Sequence, residues 1–479
     1  MQWTIILEAT SGWGERTCTP VYTLSRPMLD LKPEQVGLSL AEAKSLLARL
    51  QEQLIRQQAD EYATCRRVCP RCHQMQPVKE YQPRILDTLF GPVQVESPRW
   101  QVCRCRCHWD HPPTFSPLSE ILPQRCTPEL EYLLARFASL MPYRQVVRFL
   151  QEFFPLSSTL NHATVRNRTL RVAQRMEAAL AAEAPVRPAP KEQPVAAGAS
   201  APAAAAEAQG VLICMDTGFV RSCDSGGARH FEVTVGRCER PGGSGEAFGF
   251  VADPTADPIG KARWPVLLAR QGHQLSQPLT VISDGADAFV ALAQRLGATH
   301  ILDWFHVTMR FERLHQILRG LQRSHPVEAA AWKDLATRAK WRLWHGQHFR
   351  VLEALEDIED DLGPTERPFW QHAEDRPLTL LLHALWALQA FVAANAASLV
   401  NYGERYRRGE RISTAVVESM VNRVIGRRMA KKQQMRWSRR GAHLLVQIRL
   451  AVLEGGLQDV FRHWYPRFPL PVAGEAAPA

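Results

Sequence analysis

The chain has 479 residues, which excludes a single ordinary hydrophobic core and predicts two to four domains. Its composition, 46% hydrophobic and 22% charged, is normal for a soluble globular protein. Its net charge of +10 favours a polyanionic partner, although this signal is weak until the charge is located along the chain.

Residues 1–64 are expected to form an N-terminal helical segment, because residues 38–62 have a helical pattern. Several leucines fall on one face of that helix: Leu46, Leu47, Leu50 and Leu54. Residues 1–10 lack the basic region and the long apolar run of a signal peptide. We therefore expect a cytoplasmic protein.

Five of the 11 cysteines fall into two close clusters that flank a predicted β-hairpin. The hairpin strands cover residues 80–89 and 93–102. Cys69 and Cys72 form the first cluster, a Cys-x-x-Cys knuckle whose thiolates can face one ion. In a chain without a secretory signal, such spacing indicates metal binding rather than disulfide bonds.

The second cluster offers four possible ligands for two places. We favour Cys105 and Cys107. Cys103 or His108 would substitute for either one. Because four protein ligands leave no open coordination position, the predicted Zn²⁺ is structural and belongs to a zinc-ribbon-like module over residues 65–127. The alternative is a set of reduced, buried thiols.

Residues 128–184 predict a helical DNA-binding domain. Its three helices cover residues 129–139, 143–153 and 163–182. The last helix follows a short polar turn and carries Arg166 and Arg168, so a helix-turn-helix that presents arginines to DNA is slightly favoured. The alternative is a helical hairpin that only packs the domain together.

Residues 185–209 are almost all Ala and Pro and predict a flexible or semi-rigid linker at a domain boundary. Beyond it, residues 210–306 predict an α/β domain with a mixed sheet, because three consecutive strands precede alternating helices and strands. The predicted strands cover residues 210–220, 228–236, 248–251, 278–283 and 300–304, and the helices cover residues 260–271 and 286–296.

Two aspartates occur at hydrophobic strands of this domain. Asp216 lies inside the apolar run 211–218, where a charge is costly unless it is paired or bound to a metal. Asp284 ends the run 279–283 and precedes Gly285, which suits a tight strand-to-helix turn. Phosphodiester cleavage with two metal ions needs carboxylates that converge on one cleft, and Mg²⁺ prefers such hard oxygen ligands. The alternative for each residue is a turn or helix-capping aspartate.

Residues 307–410 predict an all-helical insertion. Residues 380–400 are apolar and long enough to span a bilayer, but their polar residues favour a buried helix, so no membrane partner is expected. Core packing is favoured over base stacking for three tryptophans of the insertion: Trp332, Trp341 and Trp344.

Glu418 is the third candidate acid and the only acidic residue between residues 411 and 449. It lies on a helix that is predicted to start near Ser413, and Asn422 follows four residues later on the same face. We assign residues 411–479 to a C-terminal catalytic helix and a basic segment. The alternative is a surface glutamate that pairs with a nearby arginine.

The excess positive charge lies in residues 404–449, which contain 13 Lys and Arg and 3 acidic residues. That excess equals the net charge of the whole chain, as expected of a surface that faces nucleic acid. If Glu418 lies at the scissile phosphate, several residues after it would contact the flanking DNA. These are Arg427, Arg428, Lys431 and Lys432, with Trp437 stacking on a splayed base. The alternative is that these basic residues only form a solvent-exposed helix face and do not contact DNA.

Specific motifs lie in the same part of the chain. Ser-Thr-Ala-Val-Val-Glu-Ser occupies residues 413–419, Arg-Met-Ala-Lys-Lys-Gln-Gln-Met-Arg-Trp residues 428–437, and Arg-Gly-Ala-His residues 440–443. An Asp-x-x-His element occupies residues 303–306. With the three acids, these motifs resemble insertion-sequence transposases of the ISKra type, relatives of the Mutator-like DDE enzymes. The resemblance covers most of the chain.

The resemblance implies an RNase H-like catalytic domain in which Asp216, Asp284 and Glu418 are the catalytic acids and bind Mg²⁺ or Mn²⁺. It assigns Asp303 and His306 to the Asp-x-x-His element, and we expect them to support the catalytic residues. It implies double-stranded DNA as the partner, both the terminal inverted repeats of a mobile element and its target. A bacterial, nucleoid-associated homo-oligomer is expected, because transposases commonly act as dimers or larger assemblies.

We therefore expect a DDE transposase that cleaves and joins DNA by metal-dependent phosphoryl transfer. One alternative is a domesticated, transposase-derived DNA-binding protein, and the intact acidic triad argues against it. The other is a plain RNase H-like nuclease. The long helical insertion and the separate N-terminal modules argue against that alternative.

Overall fold

The computed structural model describes residues 1–103, 105, 114–183, 210–224, 227–240, 242–363, 376–429 and 435–468. The chain divides into two compact units, one formed by Met1–Met176 with Ala451–Ala479 and the other by Glu177–Leu450. Both contain sheets and helices, so the prediction of a multidomain α/β chain is confirmed. The linker predicted for residues 185–209 lies outside the described residues.

The first unit begins with an antiparallel hairpin of β1 (Gln2–Thr10) and β2 (Arg16–Ser25). Both strands are rich in Thr, Ile, Val and Tyr, which favour an extended backbone. The helix α1 (Leu40–Arg66) follows. The expectation that residues 1–64 are helical is therefore wrong for the hairpin and correct for α1.

A three-stranded antiparallel sheet lies next to the cysteine clusters. It consists of β3 (Val78–Thr88), β4 (Gly91–Gln101) and β5 (Thr114–Phe115), so the predicted hairpin is confirmed. Gly91, with φ of +116°, allows the tight turn between β3 and β4. Ala59 of α1 and Leu118 of α2 (Pro117–Ile121) share a hydrophobic core with this sheet.

Three helices follow at the predicted places. They are α3 (Pro128–Leu140), α4 (Tyr143–Phe153) and α5 (His162–Glu183). Leu134, Val146 and Val165 come from one helix each and are fully buried in a shared core. Burial of this apolar surface stabilises the helical arrangement.

A five-stranded mixed sheet forms the centre of the second unit. Its strands are β6 (Val211–Arg221), β7 (His230–Glu239), β8 (Glu246–Phe250), β9 (Leu279–Ser283) and β10 (Thr299–Leu302). Their spatial order is β10-β9-β6-β7-β8. The pairs β6–β7 and β7–β8 are antiparallel, whereas β6, β9 and β10 run parallel. Because parallel strands end at the same edge of a sheet, this edge can gather side chains from three strands.

Helices α6 (Gly260–Arg270) and α7 (Asp287–Leu296) pack on one face of this sheet. Ile213 of β6, Trp264 of α6 and Phe289 of α7 belong to the same core. The strands and helices predicted for residues 210–306 are thus confirmed.

The predicted all-helical insertion follows β10. Its helices are α8 (Trp304–Leu321), α9 (Pro326–Trp344), α10 (His348–Asp361) and α11 (Arg376–Ala394). Trp332 is buried in their common core, and the ring of Trp344 lies 5.0 Å from that of Trp304. Trp341 is 54% exposed, so the expectation of core burial is wrong for it.

Within the described residues, one helix, α11, is long and apolar enough to cross a membrane. Leu381, Leu385 and Val392 of this helix are buried in the core of the insertion. One side of α11 therefore packs in this core, whereas only 28% of its apolar stretch is buried, so the expectation of a buried helix holds only for that side.

The remaining helices are α12 (Tyr402–Arg407), α13 (Ala415–Val421), α14 (Arg439–Leu453) and α15 (Leu457–Trp464). A π-helical turn, Asn422–Gly426, continues α13. A side chain at Gly249 of β8 would collide with Val446 of α14, because an added Cβ would lie 2.7 Å from its Cγ1. Side chains alternate along β8, so Gly249 faces away from the core that Phe248 and Phe250 share with α6. The helix α14 therefore packs on the sheet face opposite α6.

Candidate active site and metal centre

Three aspartates lie side by side at the edge of the sheet where β9 and β10 end. β6 pairs with β9, and the register of that pairing, continued two residues beyond Cys214 and Ile282, places Asp216 beside Asp284. β10 pairs with the other side of β9, and its register places Asp303 beside Asp284 as well. The turn after Asp284 uses Gly285 with φ of +86°, as the sequence predicted.

Asp216 is a buried carboxylate in an apolar strand, with 7% of the residue exposed. Burial raises the pKa of Asp216 above its usual range. The backbone N–H of Thr217, which donates at 2.7 Å, and His306 lower this pKa, whereas the charges of Asp284 and Asp303 raise it. A poorly solvated carboxylate beside two others is stabilised by a bound cation.

Asp303 accepts several hydrogen bonds at the end of β10. The backbone N–H groups of Phe305 and Thr414 donate to its Oδ1 at 2.9 and 3.1 Å. The Thr414 hydroxyl donates to Oδ2, and His306 Nδ1 lies 2.9 Å from that oxygen. Although burial raises the pKa of Asp303, these hydrogen bonds bring it below its usual range. Asp303 is therefore engaged within the protein and holds neighbouring segments together.

His306 places an imidazole near the aspartates, whose negative charges favour its protonated form. Its hydrogen bond to Asp303 raises the pKa of His306, burial opposes this effect, and the charges of Asp303, Asp216 and Asp284 raise it further. The imidazolium form offsets part of the negative charge of the cluster.

The chain returns from the insertion to the end of β10. The Tyr402 hydroxyl donates to the Leu302 carbonyl at 2.8 Å. The Trp304 N–H donates to the Ile412 carbonyl at 3.0 Å. Together with the hydrogen bonds from Thr414 to Asp303, these contacts fix the start of α13 beside the aspartates.

Glu418 lies on α13, over the strand that carries Asp216. A Cβ added to Gly218 of β6 would lie 3.1 Å from Val421 Cγ1 and 2.8 Å from Ile425 Cδ1. Glu418 precedes Val421 by one turn and shares this sheet-facing stripe. Because side chains alternate along a strand, Gly218 and Asp216 share one face of β6. Glu418 and Asp216 therefore lie on the same side of the sheet.

The spacing of the three acids bears on the kind of metal site that they fit. In the part of the chain that the structure describes, two groups of ligands have all their atoms within 4.8 Å of one another, and Asp216, Asp284 and Glu418 form neither. The described structure therefore does not bring these three acids together as one compact group of metal ligands.

The first unit contains four clustered thiols. The Sγ atoms of Cys69, Cys72, Cys103 and Cys105 lie within 4.8 Å of one another. Four of the Sγ–Sγ distances in the group run from 2.8 to 3.8 Å. Zn–S bonds of about 2.3 Å in a tetrahedron place the sulfur atoms about 3.8 Å apart. Modest spreading of the closest pair would therefore let four thiolates bind one Zn²⁺.

Cys103 and Cys105 supply the second pair of thiols. Sequence analysis favoured Cys105 with Cys107, but Cys103 is the residue that lies 3.2 Å from Cys69. Because β4 ends two residues before it, Cys103 still lies opposite the knuckle. Cys107 and His108 lie outside the described residues.

A third cluster, which sequence analysis missed, is buried in the second unit. Glu177, Asp257 and His443 have ligand atoms within 4.8 Å of one another. His443 Nε2 lies 2.8 Å from Glu177 Oε1. Arg440 pairs with Glu177, and Arg263 pairs with Asp257. No local motif could reveal this cluster, because its members are far apart in the sequence.

The chemistry of this cluster argues against a metal. The backbone N–H of Val251 donates to His443 Nδ1 at 3.2 Å, so the lone pair is on Nδ1 and the proton is on Nε2. Nε2 then carries the proton, lies 2.8 Å from Glu177 Oε1 and has no lone pair left to bind an ion. Each carboxylate has a guanidinium partner, so the charges are balanced. We interpret the cluster as a structural ion network.

Three side chains that were expected to contact DNA are buried. Arg428 is 2% exposed and lies over the ring of Trp437, which is also buried. Arg168 is 8% exposed and pairs with Asp87. The expectation of direct DNA contact is therefore corrected for these residues, because each is engaged by protein partners that a run of charges does not reveal.

The other basic candidates remain open to solvent or lie outside the described residues. Arg166 and Arg427 are exposed. Lys431 and Lys432 lie outside the described part of the chain. DNA contact by these four residues stays a prediction.

Comparison with known proteins assigns no family. No family model matches the chain, and no curated protein matches it. Function is therefore inferred from the residues and their geometry.

Proposed function

We propose that the chain is the DDE transposase of an insertion sequence, a metal-dependent enzyme that cleaves and joins DNA. One observation carries the proposal: Asp216 on β6 lies beside Asp284, which directly follows the parallel strand β9, and Glu418 lies on the same side of the sheet as Asp216. Carboxylates from distant parts of the sequence meet in this way when they bind ions for phosphoryl transfer.

The sheet supports an RNase H-like catalytic domain. Three antiparallel strands in sequence, β6, β7 and β8, are followed by β9 and β10, which add in parallel on the other side of β6. An acid on the central strand and another after its parallel neighbour are typical of that fold. The resemblance of residues 413–443 to ISKra-type transposases supports the same assignment.

Mg²⁺ or Mn²⁺ held by Asp216, Asp284 and Glu418 would activate the attacking oxygen and stabilise the leaving oxygen. The protein's own contribution is to position these carboxylates in advance. The Thr217 N–H orients Asp216, and the bonds between Asp303 and Thr414 fix the start of the helix that carries Glu418. The burial of Asp216 strengthens its attraction for a cation, because the local dielectric is low.

Double-stranded DNA is the proposed partner, as terminal inverted repeats and as target. The basic segment, residues 404–449, supplies cations for the phosphates, with Arg427, Lys431 and Lys432 as candidates. Phosphate contacts carry no sequence information, so base recognition is assigned to the N-terminal modules, with Arg166 as one candidate. The zinc site would hold those modules in shape.

The test is an assay of the full, zinc-loaded chain with DNA that carries the ends of its element. Cleavage at the ends and joining to a second duplex are expected with Mg²⁺ or Mn²⁺, and neither is expected with chelator. Nicking without end preference or joining would instead indicate an RNase H-like nuclease. Binding without cleavage in either metal would indicate a retained DNA-binding protein.

A further inference from the structure

The helix α1 exposes a stripe of leucines to solvent. Leu40 is 51% exposed, Leu47 37% and Leu54 36%. These residues recur every seven positions, and Ala43 and Leu50 fall between them. The resulting alternation of three- and four-residue steps is the spacing by which two helices pack along a seam.

This stripe is separate from the side of α1 that packs on the sheet of β3 and β4. Ile55, Ala59 and Tyr62 belong to the core shared with the sheet of β3 and β4. From the helical rotation per residue, the stripe lies roughly a third of a turn away from that side. The leucines therefore do not belong to the core described above.

The neighbouring hairpin also exposes apolar surface. β1 and β2 form an isolated two-stranded sheet, in which Trp3, Ile5 and Ile6 are 46%, 40% and 59% exposed. Arg26 donates to both carboxylate oxygens of Glu42, at 2.8 and 2.7 Å, and so links the hairpin to α1. A two-stranded sheet is only marginally stable alone, which suits a segment that is buried on assembly.

We propose that the leucine stripe is a homodimer interface, in which α1 packs antiparallel against α1 of a second copy. With the twofold axis between Leu47 and Leu50, Leu47 of one copy faces Leu50 of the other. Leu54 then faces Ala43, so a large side chain meets a small one. The stripe is thus complementary to itself, as a twofold interface requires.

Charge along the edges of the stripe is compatible with this pairing. The flanking residues include Gln51, Gln53 and Gln58, which are uncharged. Lys44 is the one basic residue on these flanks, and the antiparallel arrangement places it near Gln51 of the other copy rather than near a second Lys44. No like charges are therefore brought together, and an apolar stripe does not suit nucleic acid as its occupant.

Sedimentation equilibrium of the full, zinc-loaded chain tests the interface. The double variant Leu47→Lys with Leu54→Lys should raise the dimer dissociation constant by about 100-fold or more, because four leucines lose their apolar contacts. The matched control is Leu275→Lys, which alters a fully exposed leucine of the second unit and should leave the constant unchanged.

Two results would overturn the proposal: a wild-type chain that is monomeric at every concentration, or a double variant that dimerises as tightly as the wild type. Circular dichroism and zinc content check that the variant is folded. If the lysine pair fails to fold, the milder Leu47→Ser with Leu54→Ser variant is measured in its place, with the same expected direction.

Discussion

Glu177 is a single carboxylate that stays ionised inside the protein. It is 5% exposed, and burial alone raises its pKa. Hydrogen bonds from His443 and Arg440 outweigh burial and hold the pKa of Glu177 below its usual range. Its charge is therefore part of the folded state and should be visible in the dependence of stability on pH.

Glu177→Gln should reduce the loss of stability on acidification. Since the folded-state pKa lies below the unfolded value of about 4.3, Glu177 contributes stability above that pH, and the contribution is lost as the pH falls through the folded pKa. At neutral pH the variant should be about 1–3 kcal/mol less stable, because buried donors lose a charged partner. Urea unfolding at neutral pH and near pH 3 measures both effects.

The control is Asp334→Asn, which alters an exposed ion pair and should change stability by less than about 0.5 kcal/mol. Equal losses on acidification for wild type and Glu177→Gln would contradict the assignment.

Candidate functional residues could be predicted from the sequence where a charged side chain stands in or directly after an apolar run. Asp216 and Asp284 stand out because a charge inside or after an apolar run needs a reason. Partners were not predictable, because they come from distant segments. The burial of Arg428 against Trp437 and the pairing of His443 with Glu177 are examples.

The position of α13 depends on the residues just before it. Thr414 donates from its backbone and its hydroxyl to Asp303, which is fully buried. Thr414→Val removes the hydroxyl donor and should cost about 1–3 kcal/mol, because a buried carboxylate loses a partner. It should also slow cleavage, since the helix that carries Glu418 is held less firmly.

Thr414→Ser is the matched control, because it keeps the hydroxyl and should retain most of the stability and the cleavage rate. Urea unfolding and single-turnover cleavage give the two readouts. A valine variant as stable and as fast as the serine variant would remove this contact from the positioning of α13.

The zinc module should depend on its metal. Cys69→Ser removes one of four ligands and should abolish the binding of about one zinc per chain, because a closed tetrahedral site needs all four. Hydrogen exchange should rise in β3 and β4 and stay low in the sheet of the second unit. Cys65→Ser, an exposed cysteine outside the group, is the control and should keep the metal. Wild-type protein purified without chelator and free of zinc would contradict the site.

Elements with a clear periodicity were predictable, and those without it were not. The strands around Asp216 and the insertion helices follow from long apolar patterns that burial imposes. The β1–β2 hairpin was missed because both of its faces are largely exposed, so no alternation marks it. The approach of Cys103 to Cys69 depends on where β4 ends, which the cysteine spacing alone does not show.

Across the whole molecule, the excess charge in residues 404–449 implies a salt-dependent DNA affinity. Replacing Lys431 and Lys432 with Ala should weaken specific and random DNA alike and lower the salt slope by about one per lost phosphate contact. Lys333→Ala, at an exposed position in the insertion, is the control. Binding titrations across a salt series decide the matter, and an unchanged slope in the double variant would mean that these lysines do not touch phosphate.

The central claim is that Asp216, Asp284 and Glu418 act as one metal-binding unit, and metal-dependent cleavage of element ends by Asp216→Asn tests it most directly. The matched control is Asp287→Asn, which alters an exposed acid three residues after Asp284. We predict that Asp216→Asn abolishes cleavage in Mg²⁺ while binding to the element ends persists. Asp284→Asn and Glu418→Gln should have the same effect. Double variants should be little worse than single ones, because the three acids act as one unit. Wild-type cleavage by Asp216→Asn, alongside an active Asp287→Asn control, would contradict the account.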